Sequence, residues 1–117
     1  MEQELVDYLI REYSSLLTGR EQLAYKHLLH DEKLATMEDE AGREKYRGVM
    51  QRVGWLSQDE AVLAMLQGGV PAFRHGIAQQ LYDEHGGETL LNKCPRCQRL
   101  ARTARARQCR HCGHDWH

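Results

Sequence analysis

Cys94-Pro95-Arg96-Cys97 and Cys109-Arg110-His111-Cys112-Gly113 stand with eleven residues between them, and they decide how the end of this 117-residue chain folds. Each C-x-x-C turns tightly enough to aim two sulfurs at one point. Two such turns complete a tetrahedron of thiolates, which is the spacing of a four-cysteine zinc site. Pro95 pre-sets the first turn, and Gly113 supplies the positive φ that the second needs. The expected ligands of one structural Zn²⁺ are therefore Cys94, Cys97, Cys109 and Cys112. Thr89 to Asn92 read as a strand entering the first pair, and Leu100 to Thr103 as a strand running back. His114-Asp115-Trp116 reads as a short third strand, with Trp116 over the metal turns. The spacing is shorter than the usual 15–20 residues between pairs, so the hairpin is expected to be stubby.

Other uses of these cysteines fit less well. Disulfides need an oxidising compartment, and nothing in the sequence points to one. A thioredoxin-like pair needs a single C-x-x-C on a βαβ scaffold. A catalytic zinc keeps an open position, whereas four thiolates close the shell. His111 and His114 lie near enough in sequence to compete as a ligand in a Cys3His site, and the plainer reading leaves them on the surface. The zinc deaminase pattern has H-x-E followed by P-C-x-x-C. His85-Gly86-Gly87-Glu88 has the wrong spacing for it, and Pro95 lies inside the pair.

Charge divides the chain at the same place. Residues 1–92 hold 9 Lys/Arg against 16 Asp/Glu, and residues 93–117 hold 7 Lys/Arg against one Asp. Six arginines, Arg96 to Arg110, fall within fifteen residues of the tail. Arginine suits bidentate phosphate contacts, so Arg99, Arg102, Arg105, Arg107 and Arg110 are candidates for binding nucleic-acid phosphates or an acidic partner. Two plainer roles compete: offsetting the negative charge of the thiolate site, and docking on the chain's own acidic part. Trp116 is the only large aromatic of the tail, so base stacking has little support.

The acidic part reads as helical. Leu5, Val6, Leu9, Ile10, Tyr13, Leu16 and Leu17 form one amphipathic stripe, predicting a helix over 2–17. Thr18 with Glu21 reads as a capping box opening a second helix through Ala24, Leu28, Leu34 and Met37. A third carries Tyr46, Val49, Met50 and Val53 and stops at Gly54. Ser57 with Glu60 reads as another box before a short helix that ends at Gly68-Gly69. Pro71 opens the last helix, which stops at Gly86. The predicted fold is mainly α, a small four- to five-helix bundle over 1–86 with a zinc ribbon and short β-hairpin over 87–117.

No catalytic residues emerge. No Ser-His-Asp or Cys-His constellation is visible, and Gly68-Gly69 lacks the Lys-Ser or Lys-Thr of a phosphate loop. His27 and His30 could share a helix face as metal ligands, but no inward glutamates accompany them. The stretch from Ser57 through the last helix has a helix-turn-helix outline, but one arginine followed by two acids is a poor phosphate-facing surface. The chain is expected to be no enzyme, to have no small-molecule substrate, and to lack a membrane span or secretory signal, which places it in the cytoplasm.

Leu91 to Cys97, Leu100 to Thr103 and Ala106 to Trp116 together resemble a family of small bacterial zinc-ribbon proteins with a helical N-terminal region and no assigned activity. Leu17-Thr18, Glu21, Ala24 and His27 resemble the start of that family. The resemblance implies structural zinc, a bacterial cytoplasmic setting and no catalytic residues. Gln98 and Ala104 depart from it, standing where many members have Gly and Pro. The leading expectation is a non-catalytic binding module that contacts phosphates through its arginine-rich hairpin. The alternative is a protein-binding regulator of inhibitor, antitoxin or immunity type, acting through the acidic helices.

Overall fold

A computed structural model describes residues 1–117. The fold is mainly α, with five helices followed by the cysteine-bearing tail: α1 Gln3–Tyr13, α2 Gly19–Thr36, α3 Glu40–Arg52, α4 Glu60–Ala64 and α5 Val70–His85. None is long and apolar enough to cross a membrane. The chain divides into two compact units, one of residues 1–16 with 74–117 and one of residues 17–73. The junction at Gly86-Gly87 lies inside the first unit, because the tail packs with α1 rather than standing apart.

In the first unit, α1 buries Val6, Tyr8, Leu9 and Ile10, the stripe that its periodicity predicts. The helix ends at Tyr13 and tightens into a 3₁₀ turn over Ser14–Leu16, shorter than the predicted 2–17. Ile77, Ala78 and Leu81 of α5 are buried, and Arg74 pairs with Asp7 of α1 at 3.2 Å. Gly86, at φ +119°, stops α5. The strand expected over Thr89–Asn92 does not form. Gly87–Leu90 is a 3₁₀ turn, and the ribbon keeps only two isolated antiparallel bridges, Lys93 with Leu100 and Gln108 with Asp115. With so few residues between and beyond the cysteine turns, each hairpin closes after one bridge.

In the second unit, Ala24, Leu28 and Leu34 of α2 share the core with Leu17, Leu56, Val62 and Phe73. The Thr18 box does not form: Gly19 takes φ +60° at the helix start, and Thr18 makes no side-chain cap. The Ser57 box also fails, since Asp59 caps α4 instead by accepting the Ala61 amide at 2.8 Å. Ser57 Oγ accepts the Asp59 amide one step earlier. The stop at Gly54 is a full Schellman turn. The Trp55 amide reaches the Met50 carbonyl at 2.9 Å, and the Gly54 amide reaches Gln51 at 3.2 Å with Gly54 at φ +81°. This satisfies the last carbonyls of α3. Although it packs on α2, α3 contributes no fully buried side chain.

Candidate metal centre

The two cysteine pairs form matching turns. In the first, the Gln98 amide bonds the Cys94 carbonyl at 2.9 Å and the Cys94 amide bonds the Arg99 carbonyl at 2.9 Å. In the second, Gly113 bonds Cys109 at 3.0 Å and Cys109 bonds His114 at 2.8 Å. Each turn aims two backbone amides at its first sulfur. Arg96 and Cys97 donate to Cys94 Sγ, both at 3.4 Å. His111 and Cys112 donate to Cys109 Sγ at 3.3 and 3.4 Å. Such bonds stabilise thiolate over thiol.

The four sulfurs converge to within 4.8 Å of one another, close enough to share a metal ion. Cys97 and Cys109 face each other at 3.5 Å, and Cys94 and Cys112 at 3.7 Å. Burial works against ionisation of Cys94, but the amides of Cys97 and Arg96 outweigh it and hold the thiol below its ordinary range. The Cys112 amide, acting against burial and aided by the His111 amide, brings Cys109 down to about 6. At Cys97 the Arg99 amide favours the thiolate, yet burial and the neighbouring thiols push the group up to about 11. A cation among the four relieves that crowding of negative charge.

His111 and His114 stand outside this cluster. His111 Nε2 lies 4.0 Å from Glu4 of α1, and His114 stacks on Trp116 with ring centres 6.1 Å apart. The Trp116 amide bonds the Arg107 carbonyl, which closes the second turn from outside. His27 and His30 do not converge on a metal either. His27 Nδ1 accepts the Ser57 amide at 3.0 Å, and His30 turns to Tyr46 and Trp55.

The seat of this centre is α1: the tail docks on the acidic part, as one reading of its arginines expected, although the sequence did not single out this helix. Tyr8 and Tyr13, meeting edge to face, both donate to the Leu90 carbonyl, at 2.8 and 2.7 Å. Tyr8 also accepts the Asn92 amide at 3.2 Å. Burial pushes the Tyr8 phenol up to about 12, so it remains a donor. Glu12 accepts the Ala104 amide at 2.6 Å, Arg11 donates to the Arg102 carbonyl, and Glu4 pairs with Arg110. Asn92 fixes the segment between the turns by donating to the carbonyls of Thr103 and Ala106 at 2.9 and 2.7 Å. The apolar stripe read from the sequence includes Tyr13 but not Tyr8, so no periodic signal marked this seat.

The arginines are exposed around the tail. Of the five candidates only Arg110 has a carboxylate partner; Arg99, Arg102, Arg105 and Arg107 have none. Arg102, Arg107 and Arg110 line one open cleft of about 480 Å³ together with His117. No family model matches the chain, and no curated protein and no solved structure matches it either.

Proposed function

We propose that the chain is a non-catalytic binding module in which a structural zinc ion rigidifies an arginine surface for nucleic-acid phosphates. Zinc fits the donor set. Sulfurs at the corners of a tetrahedron 2.3 Å from the ion stand about 3.8 Å apart. Cys94–Cys112 at 3.7 Å and Cys97–Cys109 at 3.5 Å are close to that spacing. When bound, the ion supplies charge and folding energy, and its four thiolates leave no position for substrate. The resemblance to small bacterial zinc-ribbon proteins and the cytoplasmic setting belong to the same reading.

The observation that carries the phosphate reading is the set of exposed arginines without a carboxylate partner, two of which line one cleft with Arg110. α1 brings carboxylates to the tail, but Glu4 takes Arg110 and Glu12 takes a backbone amide. Four guanidinium groups are left to water, and Arg102 and Arg107 among them face the cleft with Arg110. Self-docking on acidic helices therefore uses one arginine of the row and leaves the rest available to phosphates.

The test is titration of zinc-loaded protein with duplex DNA, single-stranded DNA and RNA over a salt series. Binding is expected to weaken steeply as salt rises. Replacing Arg102, Arg105 and Arg107 with Ala should leave the zinc content at one per chain and flatten the salt slope by about 3. Unchanged affinity and slope would remove the arginine row from the interface.

A further inference from the structure

The unit of residues 17–73 has an apolar face that its own core covers only in part. Tyr46, Val49, Met50 and Val53 recur at the i, i+3, i+4, i+7 spacing of one helix stripe on α3, yet none is buried. Val53 is 55% exposed and Trp55, just past the helix end, 42%. Met37, Gly42 and Lys45 join Tyr46, Val49 and Met50 around a shallow cleft of about 310 Å³. Lys45 is the only charged group in its wall.

The face is held rigid. The Schellman turn fixes the Trp55 backbone, and the Trp55 ring stacks on His30 at 5.1 Å with 19° between planes. His30 is hydrogen-bonded to the Tyr46 hydroxyl in turn. Three ammonium groups surround these rings and the cleft. Lys26 Nζ lies 5.6 Å from the Trp55 ring centre, Lys33 Nζ lies 5.1 Å from that of Tyr46, and Lys45 lines the cleft. None of the three lysines has a carboxylate partner. An apolar stripe beside a concave wall is the receptor half of helix-in-groove recognition, and unpaired cations at its rim select the charge of the helix that fills it.

We propose that the α3 face docks an acidic amphipathic helix of a partner protein, with apolar side chains entering the cleft beside Tyr46 and Val49 and carboxylates reaching Lys26, Lys33 and Lys45. An anionic bilayer suits the face less well. Its wall is concave, whereas a bilayer presents a flat surface. This surface is independent of the arginine row of the tail, so either proposal can fail without the other.

The Trp116→Phe variant of the zinc-loaded full chain leaves Trp55 as the sole tryptophan reporter. Two synthetic helical peptides share one leucine face and differ only in flanks of glutamate or lysine. The acidic peptide is expected to shift Trp55 emission to the blue and to bind about tenfold more tightly than the basic one. Reversing charge with Lys33→Glu and Lys45→Glu, both at exposed positions, should invert that preference with the helical circular dichroism unchanged. Lys26→Glu, beside the Trp55 ring, serves as a second variant and should weaken the preference for the acidic peptide. Equal binding of both peptides, or no response to either at millimolar concentration, would overturn the proposal. So would a Trp55 shift with phosphatidylserine vesicles but not with peptide, or a concentration-dependent dimer dispersed by Val49→Asp, which would assign the face to a second copy.

Discussion

Gln98 holds a left-handed backbone, φ +64°, and it is the only residue other than glycine to do so. Its place in the first cysteine turn matches that of Gly113 in the second, where φ is +77°. A side chain there crowds the following carbonyl. Gln98→Gly is expected to stabilise the metal-loaded protein by about 1 kcal/mol, read as a raised midpoint in thermal or denaturant unfolding. A fall in stability would show that the Gln98 side chain contributes more than its backbone costs. His30 makes a second residue-level case. Burial beside Tyr46 and Trp55, with Lys33 and Lys26 near, holds its pKa below the ordinary value. The unfolded chain therefore binds the proton more readily, so this contribution to stability is present above about pH 6.5 and is lost as pH falls from there through the lowered folded value. The His30 ring should titrate below an exposed histidine in an NMR pH series. A midpoint at or above that of a free imidazole would contradict the burial argument.

Among the elements, α1 bears the contact that organises the tail. Tyr8 offers one hydroxyl to both the Leu90 carbonyl and the Asn92 amide. Tyr8→Phe keeps the ring and removes both bonds, and is expected to cost about 1–3 kcal/mol, since the Asn92 amide loses its partner. Tyr13→Phe should cost less, because Tyr8 still reaches Leu90. Equal losses would place the two phenols on the same footing. This contact also marks where reading by sequence ended. The cysteine turns were legible because thiolate chemistry fixes their spacing, and the helices because Leu, Val and Ile recur with the helical period. Gly54, Gly86 and Pro71 marked boundaries correctly. The capping boxes were misread: a Thr or Ser followed by Glu satisfies the motif whether or not the chain turns there, and Asp59 competes from two residues away. The strand at Thr89 was misread because hydrophobic residues before a metal turn look alike in a strand and in a 3₁₀ turn. The seat on α1 joins residues 82 apart, a pairing that no local periodicity encodes.

For the whole molecule, metal loading should act on one unit more than the other. The four cysteines belong to the unit of residues 1–16 and 74–117, while the unit of residues 17–73 contains none. A chelator is expected to speed amide exchange first between Cys94 and Trp116 and then in α1, whose hydrogen bonds to Leu90, Ala104 and Arg102 lose their fixed partners. Amides of α2 should keep their protection. Cys94→Ser or Cys112→Ser should reproduce that pattern without chelator and abolish stoichiometric zinc. Metal and exchange pattern both unchanged in the Cys94→Ser, Cys112→Ser double variant would exclude the four-thiolate centre.

The division of the chain also sets an order of events during synthesis. α1 leaves the ribosome well before the carbonyl that its two phenols grip, Leu90, and the cysteine turns emerge later still. Residues 17–73 form a continuous stretch that can close on itself in the interval. A nascent chain halted before Cys109 therefore carries a middle able to close before α1 does, with the apolar stripe of α1 open to chaperones until the last thiolates arrive.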